Sequence, residues 1–187
     1  MNYSFVNCLS ATHRSAVAAL GWHGGIAVDL DLLGSRLLVV AAPVGEEIAH
    51  RASEGLPPAV DPWLFRCYAD LDPGFLSRPS PVDILGAVAV RRGWPAARKA
   101  ASTFTAFGPR AVALPAQACR PPLLTEAAVT GIGVLRLDGS NATALASPGR
   151  PPAVERTHVH RLVEETVWDA ITRSPEYVAD ACAGVAR

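Results

Sequence analysis

Between Val82 and Leu137 the chain passes from near-continuous apolar runs to helix-type segments and back, in the order strand, helix, strand, helix, strand. The first run, VDILGAVAV over 82–90, lacks the polar alternation of a half-exposed strand and reads as one buried on both faces of a sheet. Pro95 stands at a helix-start position, and a helix is predicted over 95–107, closed by Gly108 and Pro109. Further strands follow at 110–114 and 131–137, separated by a short helix over 123–129. Strands joined through helices pair in parallel, because the helix carries the chain back to the starting edge of the sheet. The predicted class is therefore α/β: a mixed sheet with flanking helices, in three α/β/α-like layers.

The flanks add to this frame. Ser10 can cap a helix reaching about Leu20, with Ala16, Val17 and Leu20 at helical spacing, and the GWHGG run over 21–25 ends it. A hairpin is predicted from 26–32 and 36–42, turning at Gly34 and Ser35. Beyond Pro43 a short helix over 45–53 carries Glu46 and Glu47 in its first turn. The Pro- and Asp-rich stretch 54–81 reads as an irregular insertion around one short apolar helix, WLFRCY over 63–68. Asp138 and Gly139 turn into a segment at 143–147. A last helix over 154–172 aligns Val159, Leu162, Val163, Val167 and Ile171 on one stripe, with a helical tail over 174–187. No internal repeat is present, and 187 residues suffice for one sizeable core, so a single domain over 1–187 is expected.

The apolar share is 50% but aromatics make up only 6%, so the core must be built mainly from Ala, Val and Leu. Lys plus Arg and Asp plus Glu balance at 17 each, which removes the strong field of a dedicated nucleic-acid binder and leaves any such contact to a local patch. Cys8, Cys67, Cys119 and Cys182 form no C-x-x-C pair and read as free buried thiols. Neither a signal-peptide pattern at 1–10 nor an apolar run of the ~20 residues a membrane span needs is found. Cytoplasmic residence without membrane contact is the expectation, which leaves the sequons at Asn2 and Asn141 without meaning. No cofactor is implied.

Several segments carry a family resemblance: AVAVRRGW over 87–94, the helix running to Phe107, PRAVALP over 109–115 and GIGVLRLDG over 131–139. Upstream, Ala19 to Trp22 followed by the hairpin also fits. Together they resemble the PD-(D/E)XK nuclease fold, the restriction-endonuclease-like superfamily. In small bacterial members of that family a core strand carrying Glu-x-Lys is followed by a tryptophan-containing turn and a helix ending near an aromatic residue. A strand, a short helix, and a glycine-led strand with a hairpin partner come next. The resemblance implies a restriction-endonuclease-like topology; in active members carboxylates hold a divalent cation and the lysine supports an attacking water.

At the Glu-x-Lys position this sequence reads Ala89, Val90, Arg91. The metal-binding carboxylate is gone, and a guanidinium stays protonated, so Arg91 cannot act as a base. The usual aspartate falls near Leu38, or at Asp83, which stands too close to Ala89 for a hairpin between them. The resemblance thus implies a degenerate relative with no catalytic residue. Arg91 is expected on the face of Ala89, since residues two apart share a strand face, and it should there reach solvent or pair with Asp29, Asp31 or Asp83. Val88 and Val90 on the Arg91 face, or a helix over 84–91, would sink the nuclease-like assignment.

Other constellations each have two readings. Asp29 and Asp31 share a strand face and could hold a cation, or form the polar face of an edge hairpin. Glu46 and Glu47 could complete a displaced metal site, or be helix-start acids. His158 and His160 point roughly opposite ways on a helix and could chelate only if the segment were extended. His23, between glycines, is either a functional loop residue or an exposed one. The Gly131-x-Gly133 pair precedes a strand and is no dinucleotide fingerprint, and there is no P-loop, G-x-S-x-G or H-E-x-x-H. Arg91, Arg92, Arg98 and Lys99 form one basic cluster, able to touch phosphates or to serve as a solvated helix face.

Two functions remain. The first is a non-catalytic, nuclease-like module that binds a protein partner or nucleic acid. The alternative is a small-molecule or metal-dependent enzyme on another α/β fold, using the Asp29 and Asp31 face or His23, which requires a formed pocket beside the hairpin.

Overall fold

The computed structural model describes residues 10–61, 63, 65, 66, 70, 74, 75 and 77–174. Cys8, Cys67, Cys182, the sequon at Asn2 and all of the expected tail except Ser174 lie outside them. Within the insertion, Trp63, Phe65, Arg66 and Asp70 are helical.

Ser10 caps α1 (Ala11–Ala19) by accepting from the His13 amide at 3.3 Å. The chain then forms the antiparallel hairpin of β1 (Ile26–Leu32) and β2 (Ser35–Pro43). Its two turn residues, Leu33 and Gly34, both have positive φ, 54° and 75°, the backbone that matches a two-residue turn to the twist of its strands. After α2 (Gly45–Glu54) and the insertion, β3 (Val82–Val90) pairs antiparallel with β2. From there α3 (Trp94–Ser102), β4 (Arg110–Pro115), α4 (Pro121–Thr130) and β5 (Gly133–Asp138) place β3, β4 and β5 in parallel. The antiparallel edge strand β6 (Asn141–Ala146) and α5 (His158–Thr172) complete the fold. The six strands stand in the sheet in chain order. The α/β class read from the alternation is thus the observed one, a six-stranded mixed sheet with flanking helices.

Two helix boundaries differ from the sequence expectation by four residues or more. Helix α3 stops at Ser102 instead of 107, where the hydroxyls of Thr103 and Thr105 donate to the carbonyls of Ala100 and Ser102, both at 2.7 Å. Such side-chain bonds offer the backbone an alternative to the helical ladder. Helix α5 begins at His158 instead of 154, because Thr157 and His160 form a reciprocal capping box that sets the first turn.

The sheet separates two apolar clusters. On one side α2, α3, α4 and α5 pack with Val39, Ala87, Ala89, Val112, Leu114, Phe104, Val167 and Ile171. On the other, α1 supplies Ala16 against Ala27, Leu38, Val40, Val88, Ala111 and Leu135. Small side chains fill most strand positions, as the aromatic-poor composition requires. A bulge opposite Val40 and Ala41 lets Ile84 and Ala87 face the same cluster although they are three apart.

Among the described residues no helix is long and apolar enough to cross a membrane.

Candidate binding site at the carboxyl end of the central strand

The parallel strands β3, β4 and β5 end at one edge, the edge where open α/β sheets place their ligands. There β3 runs into Arg91, Arg92 and Gly93 before α3 begins, and Gly93 caps that helix without a side-chain hydrogen bond. The positive end of the helix dipole therefore lies next to two arginines in the chain.

Ala89 is 0% exposed, inside the larger cluster. Arg91 does not share its surroundings. Its Nη1 donates to the Val90 carbonyl at 2.7 Å and its Nη2 to the Arg36 carbonyl at 2.9 Å, so the side chain folds toward β2. With Val90, Leu38, His13, Asp29 and Arg36 it lines a cleft of about 90 Å³. The expectation that Arg91 follows Ala89 fails because β3 ends at Val90, and the first residue beyond a strand is not held to its alternation. Val88 packs in the α1-side cluster and Val90 against it, so Arg91 keeps the company that counts against a nuclease-like cleft on the Ala89 face.

No aspartate among the described residues pairs with Arg91. Asp29 is engaged by Arg36 on the neighbouring strand, Nε at 3.1 and 3.2 Å from its two oxygens and Nη2 at 3.0 Å. The hydrogen bonds of Asp29, then its charge, push the Arg36 pKa up. Asp31 stands opposite Arg36 in the register and is exposed. Asp83 is exposed at the far end of β3, opposite Ala42. Asp29 and Asp31 thus share a face but do not converge on a pocket.

The basic cluster divides. Arg98 pairs with Glu126, whose other oxygen accepts from the Trp94 indole at 2.6 Å, which ties α3 to α4. Arg92 and Lys99 are exposed and bond to nothing among the described residues. His13, which the sequence reading passed over, lies in the cleft wall with its Nδ1 buried and without a partner among the described residues.

The remaining candidates hold structure together. His160 Nδ1 accepts from the Thr157 amide at 3.1 Å and Nε2 lies 3.1 Å from the Ala106 carbonyl, which fits a neutral ring protonated on Nε2. His158 meets the Phe65 ring edge-on at 6.3 Å. His23 lines a shallow groove with Trp22 and Arg14. Gly133 packs beneath Pro148. No group of three His, Cys, Asp or Glu able to hold a metal occurs among the described residues.

Cys119 is half-buried near the carbonyls of Pro115 at 3.7 Å and Leu114 at 4.0 Å, and burial pushes its thiol pKa up. It should stay protonated at neutral pH. In a variant with the other three cysteines changed to serine, Cys119 is expected to react with a disulfide reagent at least about tenfold more slowly than a free cysteine at pH 7. A rate equal to that of the free amino acid would contradict this.

A second region was foreseen only at Glu47, which proves to be neither a metal ligand in a group of three nor a solvated helix-start acid. Glu47 and Arg51 of α2, and Arg161 and Glu165 of α5, are buried together. Arg51 donates from Nε to Glu47 at 2.8 Å and from both terminal nitrogens to Glu165 at 2.8 and 2.6 Å. Glu165 also accepts from the Ala59 amide at 3.1 Å. Arg161 lies over the Phe75 ring at 4.8 Å and donates from Nη1 to the Pro79 and Arg78 carbonyls at 2.8 and 3.3 Å. Burial works to lower the Arg51 pKa, but the hydrogen bonds and charge of Glu165 and Glu47 outweigh it and raise it; for Arg161 burial wins over Glu165 and the pKa falls. Both pairs stand four apart in sequence, Glu47 to Arg51 and Arg161 to Glu165, the one signal available beforehand. The expected α5 stripe is corrected accordingly: Val159 is 50% exposed, while Arg161 and Glu165 are 0% exposed.

No family model, curated protein or solved structure matches this chain.

Proposed function

We propose that this chain is a non-catalytic cytoplasmic α/β module that binds nucleic acid through the end of β3. The carrying observation is Arg91, held in place by two backbone carbonyls and not by a carboxylate, so its charge is positioned without being neutralised. The nearest acid in the cleft, Asp29, is already saturated by Arg36. Arg92, next in the chain and exposed, adds a second positive charge, and the start of α3 adds its dipole. The nuclease-like assignment is not carried into this proposal, because Arg91 shares the surroundings of Val88 and Val90 while Ala89 packs on the other face of the sheet. The non-catalytic element rests on Ala89, a small apolar side chain packed in the core.

Fluorescence anisotropy with labelled single- and double-stranded DNA over a salt series tests the reading. Binding should weaken with salt, and the Arg91→Ala, Arg92→Ala double variant should lose affinity for every sequence alike and lower the log–log salt slope by about 2. Unchanged affinity in that variant would remove the site. Cutting of DNA in Mg²⁺ or Mn²⁺ that disappears on Asp29→Ala or Asp31→Ala would overturn the absence of catalysis.

A further inference from the structure

We propose that the nucleic acid bound at Arg91 is single-stranded, and that an unpaired base of the strand seats against Trp22 in a groove between α1 and β1. This rests on the Arg91 reading above and adds a base subsite to its phosphate contact. Two cavities lie along one flank of α1. The first is the Arg91 cleft, which α1 walls with His13 and β1 with Asp29. The second, of about 260 Å³, is walled by Arg14, Val17 and Ala18 of α1, by Ala27 of β1 and by the loop from Trp22 to Gly25. Asp29 and Ala27 stand opposite Leu38 and Val40, both in the α1-side cluster, so the two cavities open on the same face of the sheet. They are also adjacent: His13 and Val17 are one helical turn apart, about 6 Å along the axis, and Asp29 and Ala27 are about 6.6 Å apart along β1. That offset is nearly twice the rise of about 3.4 Å per nucleotide in a stacked duplex strand, and it suits an extended, unstacked one. On the other flank of α1, Ser15 accepts from the Ala142 amide of β6 at 2.8 Å, which ties the helix toward that edge and leaves the β1 side open.

The groove has the chemistry that a base requires. Trp22 is half-buried, with two atoms of its six-membered ring held over Gly86, so the ring is fixed before a ligand arrives. Gly24 and Gly25 leave the loop wall without side chains. Arg14 and His23 are exposed, and no carboxylate among the described residues lines this groove, so an anionic strand meets no repulsion there. Stacking on an aromatic ring accepts any base, since every base has a π-face. A base inside a duplex is already stacked and paired and does not reach such a ring, so the groove selects an unpaired strand.

Fluorescence anisotropy of the full chain with labelled oligothymidylate, an abasic strand of the same length and a duplex tests this. The abasic strand keeps the phosphates and removes the bases. Oligothymidylate should bind at least about fivefold more tightly than either of the other two, the least that one stacked base contributes. Ala18→Leu, an exposed helix position whose longer side chain fills the groove, should erase the margin between oligothymidylate and the abasic strand. Trp22→Leu should erase it too, and where that variant does not fold the Ala18→Leu result decides. Arg91→Ala with Arg92→Ala should weaken both strands and keep the margin, which separates the base subsite from the phosphate contact. Equal affinity for oligothymidylate and the abasic strand, a duplex bound as tightly as the single strand, or a margin that survives Ala18→Leu would each overturn the base subsite while leaving the Arg91 reading in place. Failure of either strand to bind at all would overturn both.

Discussion

Glu165→Ala is expected to lower the unfolding free energy by about 3–5 kcal/mol, the usual cost of stripping one partner from a buried ion pair. The carboxylate accepts from both terminal nitrogens of Arg51 and from the Ala59 amide, and it faces Arg161. Without it Arg51 keeps only Glu47, and the closest acids to Arg161 are Glu47 at 3.8 Å and Glu164 at 3.9 Å. Two guanidinium groups then share too little negative charge in a place water does not reach. For a domain of this size the thermal midpoint should fall by roughly 10 °C. Glu165→Gln, which keeps an acceptor oxygen but not the charge, should lie between wild type and Glu165→Ala. Replacing Glu47, Arg51, Arg161 and Glu165 together with apolar residues of similar volume should cost far less than the single change, because no charge is then left stranded. Urea unfolding measures all three. A loss below about 1 kcal/mol for Glu165→Ala would show that the cluster behaves as a solvated surface pair.

Gly86→Ala is expected to destabilise by about 3 kcal/mol, at the upper end of what overpacking costs. A Cβ at this position would stand 2.4 Å from two atoms of the Trp22 indole and 2.8 Å from the Pro109 carbonyl oxygen. The carbonyl cannot retreat, since it accepts from the Ala87 amide at 3.0 Å where β3 and β4 begin to pair. The indole must therefore lift off the sheet and give up its packing against the α1-side cluster. Near-UV circular dichroism should lose part of its tryptophan signal, and urea unfolding should shift to lower concentration. Combining Gly86→Ala with Trp22→Leu should be less harmful than the sum of the two, with a coupling of about 1–2 kcal/mol. Strict additivity would mean that Trp22 is not what the new methyl group meets.

Much of the architecture was legible because it depends on local rules. The apolar runs at β3, β4 and β5, Pro95 at the start of α3, and Gly34 in the hairpin each act within a few residues, and the observed elements follow them. The basic residues after β3 were legible for the same reason. Their use was not: Arg98 turned to Glu126 on another helix, and Arg91 turned to a carbonyl 55 residues away in the chain. The α5 stripe failed at Arg161 and Glu165, since hydropathy assigns charged residues to water unless their partners are known, and Arg51 and Glu47 sit more than a hundred positions upstream.

The sequence by itself therefore determined the α/β class, the hairpin, the strand-helix alternation and the absence of an acid at Ala89, all of which follow from residue type and short-range spacing. Tertiary structure alone decided which charges would be buried, which way Arg91 would turn and where a cavity would form. Those outcomes depend on long-range neighbours: a guanidinium is tolerated inside only where carboxylates, carbonyls and an aromatic ring from separate segments meet around it.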